Sequence, residues 1–136
     1  KVVVVDASVA WKWLAEDEVL TDAALNLLER FLLGEEELIA PDLIFYEIGN
    51  VAASKASLPL HIVQGMWQRF AGFQVGIINP THAFIKEAIS FSKRYKISVY
   101  DACYIVLAKE KKCDMVTADQ RLVGQVNLPY VRLLLK

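Results

Sequence analysis

A three-layer α/β sandwich around a central five-stranded parallel sheet is the fold this sequence predicts. Three observations lead there. Residues 2–5 are four consecutive valines, and such β-branched side chains fit a strand buried on both faces, the place of a central strand in a parallel sheet. Strand-sized apolar segments then alternate with longer segments of helical periodicity, the pattern of β-α-β units joined by right-handed crossovers. Finally, 136 residues is the length of one domain, and a hydrophobic share of 55 % supplies a substantial core.

The first strand stops at Asp6, and Ser8 is placed to cap a helix over Val9–Leu14. Leu20–Leu33 predicts an amphipathic helix whose stripe is Leu20, Ala24, Leu27, Leu28, Phe31 and Leu32, ended by Gly34. Glu35, Glu36 and Glu37 read as a solvated turn. Leu38–Ala40 is a short second strand closed by Pro41, and Asp42 caps a helix to about Ala56. Leu58-Pro59 opens a helix through Ile62, Val63, Met66, Trp67 and Phe70. Gln74–Ile78 is the third strand, and Thr81 caps a helix to about Tyr95. Ser98 caps a strongly apolar helix over Val99–Lys111. Met115–Thr117 is the fourth strand, a helical turn follows at Gln120–Leu122, and Tyr130–Leu134 is the fifth strand.

Composition narrows the function classes. A net charge of −1 and a pI near 6.1 do not mark a nucleic-acid binder by bulk charge. Two local basic clusters, Lys93, Arg94 and Lys96, and Lys109, Lys111 and Lys112, read more simply as solvated helix ends than as phosphate contacts. Cys103 and Cys113 lack zinc-site spacing, and on one helix they would lie about 15 Å apart, too far for a disulfide. They fit small core residues of a reduced compartment. His61 and His82 read as surface or helix-end residues. No apolar run approaches the roughly 18–20 residues of a membrane helix, and no signal-peptide pattern is present, so a cytoplasmic location is expected. The chain opens on Lys1 rather than Met, which leads us to expect a trimmed start. Mean hydropathy of +0.33 is high for this size and predicts an oligomer or a partner chain. Trp11 and Trp13, at i and i+2, cannot both face inward from one helix, so one of them is expected to meet that partner.

If strands one, two and three wind to one side, strand four starts the other, and a crevice opens between strands one and four. In open α/β sheets ligands sit beyond the carboxyl ends of strands. Those two strands end in Asp6 and in Thr117-Ala118-Asp119. A single acid there reads equally well as a turn residue with a satisfied carboxylate; two at one switch point are harder to dismiss that way. Two further acids stand alone in apolar helices. Glu47 lies in LIFYEIGNVAA with Asn50 and Val51 on its face, and Asp101 lies in SVYDACYIVLA with Tyr104, Ile105 and Ala108 on its own. An acid in such a setting needs a partner: an Arg or Lys, a backbone amide, or a metal. A buried salt bridge for Glu47 and helix capping for Asp101 are the competing readings. Taken together, Asp6, Glu47, Asp101 and Asp119 repel one another unless a cation holds them ionised. With no Cys or His cluster, an all-oxygen set suits Mg2+ or Mn2+ rather than zinc. Such an ion lowers the pKa of a bound water and neutralises charge in phosphoryl transfer. Ser8 and Thr117 would hold carboxylates or waters from behind.

In VVVDAS, PDLIFYEIGNV, SVYDACYIVLA and VTADQRL, in that order and spacing, the chain resembles the PIN-domain family, and within it the VapC-like toxins. The resemblance spans nearly the whole chain. It implies a PIN-like nuclease domain over residues 1–136 and a Mg2+- or Mn2+-dependent endoribonuclease cutting single-stranded RNA by attack of an activated water. It implies Asp6, Glu47, Asp101 and Asp119 as the acidic quartet, with Ser8, Thr117 and Asn50 as polar supports. It also implies a homodimer, silenced by a small antitoxin whose tail fills a groove near the early helices. The alternatives are a PIN-like nuclease of RNA processing outside a toxin pair, or a non-catalytic dimeric module binding metal or RNA. Phosphoaspartyl enzymes fit less well. The phosphatase type needs a second acid where this chain has Ser8, and a receiver needs an Asp after its third strand, where Ile77-Ile78-Asn79-Pro80 stands.

Overall fold

The computed structural model describes residues 1–15, 19 and 21–135. In chain order the elements are β1 (Val2–Val5), α1 (Ala7–Trp11), α2 (Thr21–Leu32), β2 (Glu37–Pro41), α3 (Leu43–Ala53) and α4 (Leu60–Phe73). They continue with β3 (Gly76–Ile78), α5 (His82–Tyr95), α6 (Val99–Lys111), β4 (Asp114–Thr117), α7 (Gln120–Val126) and β5 (Val131–Leu133). The five strands form one parallel sheet in the order β3-β2-β1-β4-β5, flanked by helices as the predicted sandwich requires.

The valine run explains the centre. Val3, Val4 and Val5 are all buried, with Val4 paired to Ile39 of β2 and to Met115 of β4. α6 packs on β1, β2 and β4 and is covered in turn by α5. That double burial is why Ala102–Ala108 is continuously apolar apart from one tyrosine rather than striped. Thr81 and Ser98 cap α5 and α6 as predicted, accepting from the amides of Phe84 and Asp101. No helix among the described residues is long and apolar enough to cross a membrane.

Several expectations need correction. The cap of α1 is Asp6, not Ser8: Asp6 is extended and its carboxylate accepts from Val9 N, so the helix begins two residues earlier. The same helix ends at Trp11, and residues 12–14 turn away. Trp11 and Trp13 therefore do not share one helix, and both are buried. The Trp13 indole donates to Ala24 O at 2.9 Å and meets the Phe73 ring edge-on. No tryptophan of this pair is left to face a partner. Glu37 belongs to β2, pairing with Val2, rather than to a turn. Asp42 precedes α3 but makes no capping bond, because its own backbone is already helical. Gln74 is a left-handed helix terminus (φ 57°), not a strand residue. α7 runs to Val126, well past the predicted turn. Cys113 lies beyond the end of α6, so the two thiols do not share a helix; both are free. Leu20, placed in the stripe of α2, lies outside the described residues.

Candidate active site

β1 and β4 are neighbours at the point where the strand order reverses, and their carboxyl ends deliver Asp6 and Asp119 to the same edge. Asp6 is almost fully buried and held by three donors. Ser8 Oγ donates to Oδ1 at 2.6 Å, Val9 N to Oδ1 at 3.2 Å, and Thr117 Oγ1 to Oδ2 at 2.5 Å. Each hydroxyl spends its only proton on Asp6 and accepts in return: Ser8 Oγ from Ala118 N at 2.9 Å, and the fully buried Thr117 Oγ1 from Asp119 N at 3.1 Å. The network therefore ties the end of β1 to the turn after β4, a link across more than a hundred residues of chain. Of the roughly four lone-pair directions a carboxylate offers, Asp6 has one left.

Glu47, on α3, accepts a 2.5 Å hydrogen bond from the hydroxyl of Tyr104 on α6. Its partner is thus none of the three kinds considered from sequence. Tyr104 is the residue of the candidate site that sequence reasoning missed. The available signal was a tyrosine in a helix buried all round, whose hydroxyl needs an acceptor. Asp101 sits half-buried in the first turn of α6, where the Ser98 hydroxyl accepts from its amide at 3.0 Å. Asp119 is exposed and caps α7, accepting from Leu122 N at 3.1 Å. Asn50 is exposed one turn along α3 from Glu47, on the same cavity.

Electrostatics couples all four acids. Burial lifts the carboxyl of Asp6 above the ordinary carboxylate range despite its three donors, and Asp101 adds to the rise. Burial also raises Glu47, opposed by the Tyr104 bond and reinforced by Asp6 and Asp101. Asp101 is raised by burial and then by Asp119. The Tyr104 hydroxyl is pushed far up by burial and by Glu47, so it stays protonated as a donor. Among the described residues, no cationic side chain is a main cause of the shifts at Asp6, Glu47 or Asp101.

The PIN domain family model matches residues 3–125. The chain belongs to the PIN domain family. No curated protein matches the sequence. Three solved structures are similar in fold. PAE2754 from Pyrobaculum aerophilum has TM-score 0.70 and 18 % identity, over 97 % of this chain and 83 % of its own. A toxin–antitoxin complex from Klebsiella pneumoniae has TM-score 0.69 and 17 % identity, over 95 % of this chain and 94 % of its own. VapC20 of Mycobacterium tuberculosis, described as a sarcin-ricin loop cleaving toxin, has TM-score 0.71 and 12 % identity, over 95 % of this chain and 96 % of its own.

The donors of this PIN domain fit a hard divalent cation. All four are carboxylates; Asp6, Glu47 and Asp119 are each oriented by a hydrogen bond, and repulsion links Asp101 to the other three. Among the described residues no three Asp, Glu, His or Cys side chains are, as they stand, close enough together to hold a metal ion.

Proposed function

We propose that this PIN domain is an endoribonuclease that cuts single-stranded RNA with the help of Mg2+ or Mn2+, and that it is the toxin of a toxin–antitoxin pair. One observation carries the catalytic half: four carboxylates on four separate elements are linked by repulsion, Asp101 with Asp6, Glu47 and Asp119, and among the described residues no ion pair involves any of them. Asp6, Asp101, Asp119 and Glu47 are the residues that would hold the ion. When bound, it supplies a hydroxide-like water at neutral pH and neutralises charge on the phosphodiester. The chain's own residues do the rest. Ser8 and Thr117 fix both oxygens of Asp6, so its remaining lone pair points in one direction. Tyr104 orients Glu47, leaving its second oxygen open to receive a proton from the attacking water. Asp119, the most exposed of the four, faces the solvent side where the RNA backbone arrives, with Asn50 offering an amide beside Glu47.

The toxin half is supported by fold likeness to VapC20 and to a toxin–antitoxin complex. A protein partner and a homodimer fit the exposed Leu58, Leu60 and Ile62 at the start of α4 and the apolar groove between Phe45, Trp67 and Phe70. This replaces Trp11 and Trp13 as the place where a partner tail would lie.

The test is cleavage of end-labelled single-stranded RNA by purified protein. Cleavage is expected with Mg2+ or Mn2+, none with chelator, and none from a folded Asp101→Asn variant. Equal cutting in chelator, or undiminished cutting by that variant, sinks the metal mechanism. Expression in a bacterial host should arrest growth in the wild type only.

A further inference from the structure

Two cavities of different chemistry flank the carboxylates. One, of about 450 Å3, is bordered by Tyr46, Tyr100, Glu47, Asn50 and Leu43. Its two tyrosines are among the more exposed large apolar side chains of the described residues, at 74 % and 64 %, and each directly precedes a candidate-site acid in sequence, Glu47 and Asp101. The other, of about 190 Å3, is bordered by Asp101, Asp119, Lys96 and Arg121. Arg30, Lys109 and Arg132 each sit within 4.0 Å of a carboxylate, whereas among the described residues Lys96 and Arg121 have no such partner. The backbone under Lys96 is pinned: Gln125 donates to Tyr95 O at 3.1 Å and to Lys96 O at 2.8 Å, and Ser92 donates to Ile97 O at 2.6 Å. A cation on a braced backbone, beside acids it does not neutralise, is placed for an anion that arrives from outside.

We propose that these cavities are the two sides of one RNA track: a backbone phosphate is held by Lys96 and Arg121, and an unstacked base lies on Tyr46 and Tyr100, so the intervening linkage passes over the carboxylates. The proposal deepens the nuclease reading and rests on it for the identity of the ligand. The chemistry selects single strands. A base must leave its stack to lie against a tyrosine ring, and base–aromatic stacking is tolerant of sequence because every base has a π-face. Lone exposed aromatics are ordinary on protein surfaces. Two on one cavity, with a basic cavity bordered by the next residue of the chain (Tyr100 lines the one, Asp101 the other), match the alternation of charge and ring along a polynucleotide. The same layout explains how an acidic protein handles RNA: the positive charge needed is local, at one phosphate.

The experiment is fluorescence anisotropy with a short labelled single-stranded RNA, using Ca2+ in place of Mg2+ to slow cleavage. Tyr46→Ala and Tyr100→Ala are each expected to weaken binding about tenfold, with Tyr→Phe retaining it, because the ring rather than the hydroxyl stacks. An abasic nucleotide walked along the RNA should cost the wild type affinity at one or two positions and cost the Tyr→Ala variants nothing there. That series on wild-type protein needs no variant to fold. Lys96→Gln with Arg121→Gln should flatten the dependence of log affinity on log salt by about 0.7, the loss of one phosphate contact. Unchanged affinity, no position sensitive to base removal, and an unchanged salt slope overturn the track. Tyr→Ala variants that shift the oligomeric state by light scattering while binding RNA normally overturn it too, assigning the tyrosines to self-association. Cleavage by wild type in Mg2+ separates the two readings. RNA bound in this pattern but never cut removes the nuclease and leaves the track, whereas cutting with unaffected variants removes the track alone.

Discussion

At the scale of single residues, the site is a set of charges kept from relaxing. Burial and mutual repulsion raise Asp6, Glu47 and Asp101 together. A carboxyl whose folded pKa is raised favours the folded state below its unfolded pKa, near 4, and loses that contribution as pH climbs through the folded value. The metal-free protein should therefore lose stability, relative to an Asp101→Asn variant, as pH rises from about 4 through the raised range. Mg2+ should restore melting temperature at pH 7–8 and do little near pH 4, where the acids are protonated. Thermal melts of both proteins with and without Mg2+ read this directly; a wild type that gains on the variant with rising pH contradicts it. Tyr104→Phe removes the donor to Glu47 while keeping the ring's volume. It should fold normally and bind Mn2+ about tenfold more weakly by calorimetry, the usual cost of losing a group that orients a metal ligand.

Among the elements, the short α7 and its cap combine two roles in one side chain. Asp119 accepts from Leu122 N and is also one of the four acids proposed to hold the ion. Asp119→Ala should lose about 1 kcal/mol of stability in urea unfolding, whereas Asp119→Asn should keep it, since an amide oxygen caps equally well. Both should lose cleavage, so activity and stability separate at one position. Ser98 shows how far capping logic reaches from sequence: a serine before an apolar run predicted the start of α6 to the residue. Ser8 shows where it stops. Asp6 and Ser8 are both good caps, and only the extended backbone at Asp6 decided between them, freeing the Ser8 hydroxyl to brace the acid.

For the whole molecule, the sheet order β3-β2-β1-β4-β5 turns a linear list of acids into one edge. α6 is the piece that holds this together, because it touches β1, β2 and β4 while carrying Asp101 and Tyr104. Ile105→Ala, at a fully buried position of that helix, should cost about 2–5 kcal/mol in urea unfolding, as large-to-small changes in a packed core do. Its effect on cleavage by the protein still folded should be small, since of the four carboxylates this helix carries only Asp101, in its first turn.

The periodicity of the chain determined its elements, their alternation, and hence the parallel sheet and the crevice between β1 and β4, because strand and helix impose repeats of two and 3.6 residues on where apolar side chains fall. The four acids were legible for the same reason: each interrupts an apolar pattern or ends a strand. Tertiary structure decided what each acid touches. That Glu47 meets Tyr104, that Trp11 and Trp13 both turn inward, and that Tyr46, Tyr100, Lys96 and Arg121 border the carboxylates depends on how separate elements are rotated against one another. Local patterning constrains which face of an element is buried; which neighbour that face meets is settled only when the layers pack.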